Sequence, residues 1–167
     1  MSGDKPYDDP GVRHTLRVRP ARVEEAAALS KLALRSKAHW GYDAVFIDAC
    51  RDDLTLSGDD IRRGLVFVLE DDGHMVGFYA LWGADDEALL TDLFVEPGRI
   101  GHGYGRRLWD HGIETARRLG YPVVTLHSDP YAEGFYLAMG AERIGLVPST
   151  VFPDRLLPIM RFDLRSS

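Results

Sequence analysis

Three features of the sequence predict a single mixed α/β domain. Strand-like runs at 65–70, 74–82 and 87–95 follow one another through short turns, which suits an antiparallel meander. A strand, a glycine-dense turn, a helix and a second strand then occupy 87–127, and a crossover of that size brings its two strands parallel with a right-handed connection. Hydrophobic residues make up 45% of the 167, enough for one sizeable core.

The elements follow in order. Residues 1–12, MSGDKPYDDPGV, are polar with Pro and Gly, and read as a frayed tail before a domain spanning 13–167. His14 to Val18 is a short strand that Pro20 should stop, and Val23 to Lys37 has the Ala/Leu content and apolar spacing of a helix. After a break at HWGY, Asp43 is placed to cap a second helix with Phe46, Ile47, Cys50 and Leu54 inward, and Ser57 with Asp60 resembles a capping box. Asp71-Asp72-Gly73 is a hairpin signal between two of the meander strands, and Gly83 to Asp86 turns into the third. A helix from Gly103 to Leu119 shows an inner face of Leu108, Gly112, Ala116 and Leu119, with Gly120 as its stop. Val123 to His127 is a strand, 131–139 a short helix, and Ala141 to Val147 and Leu157 to Leu164 closing strands.

Composition excludes several classes. The net charge of −6 argues against nonspecific nucleic-acid binding, which needs many cations along the phosphates. No apolar run is long enough to cross a bilayer, and the first residues lack the apolar centre of a secretory signal, so a cytoplasmic protein is expected. The single cysteine, Cys50, can form neither an internal disulfide nor a cysteine-based metal site.

Gly101, Gly103 and Gly105 let the backbone curl and aim N–H groups at one point, and the following helix adds the positive end of its dipole. A pyrophosphate suits that geometry, with Arg106 and Arg107 in reach of a further phosphate. The dinucleotide fingerprint fails because Leu108 stands where its third glycine belongs, and a P-loop fails for want of Gly-Lys-Ser/Thr.

Two segments together, LFVEPGRIGHGYGRRL and DPYAEGFYLAMGA, resemble the GNAT superfamily of acyl-CoA N-acyltransferases. The family pattern has an apolar strand, Pro, then R/Q-x-x-G-x-G/A, and later an Ala followed by an aromatic-Tyr pair and a Gly. Ile100 falls at the R/Q position, and Asp129 stands where the family often has Asn. The resemblance implies a mostly antiparallel sheet whose central parallel pair is splayed around acyl-CoA. It implies acetyl-CoA as co-substrate with no metal, a small-molecule amine as acceptor and a homodimer through the final strands; the charge and the apolar runs already speak against a nucleic-acid or membrane partner. Cofactor contacts would fall on Leu93, Phe94 and Val95, on Ile100, Gly101, His102, Gly103, Tyr104, Gly105 and Arg106, and on Asp129 and Tyr136. The acceptor would lie among His39, Trp40, Tyr42, Phe78 and Tyr79.

Amine acylation sets the chemical demands. An alkyl amine near pKa 10.4 is almost wholly protonated at pH 7, a handicap of roughly 4–5 kcal/mol. The oxyanion needs a donor, for which the backbone N–H near Val95 is the candidate. The departing thiolate benefits from a proton, for which the family match nominates Tyr136. Asp92, a carboxylate within an apolar strand, is the first candidate base, ahead of Glu87, His127 and a water chain. The expected reaction is direct acetyl transfer from acetyl-CoA to a primary amine through a tetrahedral intermediate. The alternative is a non-catalytic acyl-CoA-binding sensor of the same fold.

Overall fold

The computed structural model describes residues 15–165, so the expected tail at 1–12 lies outside the described residues. In chain order the elements are β1 (Leu16–Pro20), a 3-10 turn (Val23–Glu25), α1 (Ala26–Ala38), α2 (Ala44–Ala49), α3 (Gly58–Arg63), β2 (Leu65–Asp71), β3 (His74–Ala84) and β4 (Glu87–Val95). The chain continues with α4 (Tyr104–Arg118), β5 (Val123–His127), α5 (Glu133–Ala138), β6 (Glu142–Pro148) and β7 (Leu156–Asp163). The sheet order is β1-β2-β3-β4-β5-β7-β6, and β4–β5 is its parallel pair.

Local chemistry explains most boundaries. Asp72 and Gly73 both take positive φ, 50° and 80°, the backbone that a tight hairpin between right-twisted strands needs. The Asp43 carboxylate accepts the Phe46 N–H at 2.8 Å, and Ser57 with Asp60 forms a complete capping box on α3. Pro20 does not stop β1 short but is its last residue, tolerated because β1 is an edge strand and a missing N–H there costs no ladder bond. Leu119, expected on the inner face of α4, is 55% exposed: it lies past the last helical residue, where the chain turns off through Gly120 at φ 84°.

The sheet is covered on both faces. Leu69, Tyr79, Leu90, Leu108, Trp109, Val124 and Tyr136 pack on the α4–α5 side. Leu29, Leu32, Ile61, Val68 and Phe78 pack on the α1–α3 side. β4 and β5 share a register only at Ala88↔Val124 and Leu89↔Thr125, after which the strands part. A bulge assists the divergence: Leu81 faces Leu90 and Ala80 faces Asp92, leaving Thr91 as the extra residue that bends β4.

Candidate active site

A cavity of about 370 Å³ fills the space where β4 and β5 separate. Leu93, Phe94 and Val95 form one wall; Ala132, Phe135, Tyr136 and Met139 form the other. Between these walls the main chain of β4 has no strand partner on its β5 side, so its N–H and C=O groups are available to an extended amide-bearing chain.

One end of the cavity is closed by the glycine turn, with Ile100, Gly101, Gly103, Gly105 and Arg106 in its lining. Gly101 and Gly103 sit at φ 89° and 81°, and a Cβ on either would meet nothing within 4 Å, so backbone conformation alone demands glycine there. Gly105 answers to packing: a Cβ would stand 3.2 Å from the Phe135 ring. Gly103 is the N-cap of α4, and no side chain caps that helix. The first-turn N–H groups of α4 therefore remain for a ligand, and the helix dipole favours an anionic one.

The side chains of this loop divide their tasks. Tyr104 is buried and its hydroxyl donates to Asp71 at 2.5 Å, which leaves its backbone N–H as its contribution to the cavity end. His102 is exposed and stacks on that ring. Arg107 is exposed and outside the lining, whereas Arg99 is part of it. The Arg99 Nη1 lies 3.6 Å from the Asp71 carboxylate, and its side chain is 45% exposed. Arg99 immediately precedes Ile100, so a cation one residue off the family's R/Q position is the sequence signal for this contact.

Tyr136 stands in the far wall, edge-on to Trp109 at 5.7 Å and to Phe135 at 5.1 Å. No protein group bonds its hydroxyl among the described residues, and the hydroxyl is not a sealed orphan, so it meets the open volume of the cavity. Burial raises its pKa, and the charges of Asp92 and Asp129 push further the same way, so the phenol keeps its proton. Asp92 lies on the other face of β4 and is not in the cavity lining. Strand alternation places it on the side of Phe94, toward α1–α3, and burial raises its carboxyl to about 6 despite a 3.0 Å hydrogen bond from Thr91. Glu87 sits at the start of β4, beside the paired end of the sheet, and His127 is exposed at the end of β5; neither lines the cavity.

The expected acceptor residues separate into two groups. Trp40 lines the cavity and stacks on Tyr131 at 5.8 Å, with His39 exposed against its edge. Phe78 and Tyr79 are fully buried and do not line the cavity, which corrects their placement in an acceptor pocket. Phe78 packs behind Phe94 in the α1–α3 core, and Tyr79 packs under α4 with its hydroxyl 2.7 Å from His111 Nδ1. Tyr42 is likewise committed: it stacks on Phe46 at 4.1 Å and donates to Asp129, while Lys37 and Arg155 lie over the same rings. Tyr42, one of the residues expected around the acceptor, thus already carries two cations of its own chain over its ring. Asp129, expected as a cofactor contact, turns its carboxylate to Lys37 and Tyr42 and is not in the cavity lining.

The splayed parallel pair and the uncapped helix start at its mouth fit an acyl-CoA-dependent transferase. The sequence pattern of the Acetyltransferase (GNAT) family matches residues 29–141, and the chain belongs to that family. It is 31% identical over 84 residues to a candidate [ribosomal protein bS18]-alanine N-acetyltransferase of Bacillus subtilis (strain 168). That match takes in 47% of this chain and about half, 54%, of the relative's length. The fold matches the PaiA N-acetyltransferase of Thermoplasma acidophilum in complex with coenzyme A, with TM-score 0.75 and 17% identity over 89% of this chain and 99% of that one. It also matches the ribosomal-protein-S18-alanine N-acetyltransferase of Escherichia coli, with TM-score 0.68 and 20% identity over 90% and 94%. No described helix is long and apolar enough to cross a membrane, and no group of three or more potential metal ligands occurs among the described residues.

Proposed function

We propose that this protein transfers an acetyl group from acetyl-CoA to a primary amine. The observation that carries the reading is the pairing of an unpartnered β4 edge with an uncapped α4 start at opposite parts of one cavity. Main-chain amides of Leu93 and Val95 suit the pantetheine amides, and the N–H groups of 101–106 suit the pyrophosphate, with Arg99 and Arg106 supplying charge. The bound thioester supplies the activated acetyl group.

The residues divide the proton work. Asp92 takes a proton from the incoming ammonium through water, and its raised carboxyl, at about 6, makes it a better base than a surface carboxylate while leaving it ionised at pH 7. The amine nitrogen bonds to the carbonyl carbon, and the Val95 N–H faces the developing oxyanion. The C–S bond then breaks, Tyr136 protonates the departing sulfur, and the second proton of the acylated nitrogen passes to the phenolate, leaving a neutral amide and restoring the tyrosine. The names of the relatives add the α-amine of an N-terminal alanine to the small-molecule amines expected from the sequence.

The test is turnover of acetyl-CoA with a panel of small primary amines and one alanine-initiated peptide, read by thiol release and product mass. Acetylation of at least one amine supports the proposal. Coenzyme A binding with no product across the panel would favour the non-catalytic sensor reading instead.

A further inference from the structure

The last turn of α1 reaches toward both sides of the gap. Arg35 donates twice to Glu96, just past β4, with Nε–Oε1 and Nη2–Oε2 both 2.8 Å. Lys37 Nζ donates to Asp129 Oδ2 at 2.7 Å, just past β5. Ser36, between them, lines the cavity. The two pairs differ in setting: Arg35 and Glu96 are 51% and 29% exposed, Lys37 and Asp129 only 15% and 13%. Solvent screens the first, whereas breaking the second strands a charge away from water.

Asp129 is also where the segment bearing Tyr136 begins. Its Oδ1 accepts the Tyr131 N–H at 2.9 Å, capping the turn 130–132 that leads into α5. Tyr42 Oη donates to the same carboxylate at 3.0 Å, and Arg155 reaches both Tyr42 Oη and, at 3.4 Å, Asp129 Oδ2. One carboxylate thus joins α1, the loop after it, the β6–β7 loop and the approach to α5. Burial alone would raise its pKa; the hydrogen bond and charge of Lys37, with the Tyr131 N–H and Tyr42, hold it below the usual carboxylate range. None of the acetyl-transfer steps above uses this cluster.

We propose that Lys37 is a positioning residue: by fixing Asp129 it sets where the α5 segment, and with it Tyr136, stands relative to β4. This rests on the reading of Tyr136 as the acid that protonates sulfur. Lys37 touches no reacting atom in this scheme, so its removal is felt through Tyr136.

Lys37→Met and Lys37→Arg, each in the wild-type and Tyr136→Phe backgrounds, test it with acetyl-CoA and the amine of fastest turnover in the panel. Lys37→Met is expected to lower kcat about tenfold through misplacement, with the KM for acetyl-CoA changed less than about twofold. Lys37→Arg should recover most of the loss. In the Tyr136→Phe background Lys37→Met should cost less than about twofold, because both changes remove one function. The ring signal of Tyr136 in tyrosine-labelled protein, assigned by its absence in Tyr136→Phe, should shift in Lys37→Met and return in Lys37→Arg.

An undiminished tenfold loss in the Tyr136→Phe background, or an unmoved ring signal, overturns the proposal. Full activity of Tyr136→Phe alone instead removes the acid assignment, and the ring signal still decides whether Lys37 positions that residue. If Lys37→Met does not fold, Asp129→Asn, which keeps the size of the cap, is held to the same outcomes.

Discussion

The two ends of the cavity are built from different materials. The donor end is mostly main chain: the β4 edge at 93–95, the turn at 101–103 and the first N–H groups of α4. The far wall and rim are mostly side chain: Trp40 on Tyr131, with Phe135, Tyr136 and Met139 beyond them. A backbone site tolerates varied side chains provided that the glycines remain, and it suits a ligand common to many enzymes. A side-chain rim can change one residue at a time, and there acceptor choice can differ between relatives of one fold.

Substitutions can break or sharpen this contrast. The largest effect is expected for Gly103→Val, which forces a β-branched residue to φ 81°. Coenzyme A affinity should fall at least about 100-fold by calorimetric titration, since the turn must reshape to relieve the strain. Unchanged affinity would mean that the turn does not hold the ligand.

Tyr136→Phe comes next. It should reduce kcat about 30- to 100-fold while coenzyme A binding stays within about twofold, because a proton donor is lost and no binding contact. Equal losses in binding and turnover would make Tyr136 a packing residue, as its contact with Trp109 also permits.

Asp92→Asn should lower kcat/KM about tenfold at pH 7.5 and remove the rise in activity through pH 6. Stability should move the opposite way. The folded protein holds the Asp92 proton up to about 6 against an ordinary 3.8, so stability is full below the lower value and is lost as pH rises through the higher. The Asn variant should therefore be more stable at pH 7.5, by on the order of 2 kcal/mol, with no gain in urea unfolding below about pH 4. The smallest effect belongs to Arg35→Ala, whose exposed pair with Glu96 should cost less than about 1 kcal/mol.

The same contrast explains what could be read in the sequence. The hairpin at Asp72-Gly73, the cap at Asp43 and the strand–turn–helix–strand unit depend on short-range backbone chemistry, and they stand close to where their residue types place them. Phe78 and Tyr79 could not be assigned to a face. Residues 76–81 of β3 are buried throughout under helices on both sides, so alternation carries no sign of which face meets the acceptor. The Asp129 cluster was illegible for another reason: Lys37, Tyr42 and Arg155 lie 92, 87 and 26 residues from it along the chain, and only folding brings them together. From sequence alone Asp129 reads as a cofactor contact without the family's amide; in the fold its carboxylate is held by Lys37, Tyr42 and the Tyr131 N–H.

Coenzyme A titrated into nitrogen-15-labelled protein, with each backbone amide followed by NMR, gives the most direct reading of a main-chain donor site. The expected result is saturable shifts concentrated at the amides of 93–95 and 101–106, with the side-chain cluster at Lys37 and Asp129 little disturbed. Saturating shifts that leave both amide groups unmoved, or no shifts at any coenzyme A concentration, would contradict a cofactor held between the parted strands.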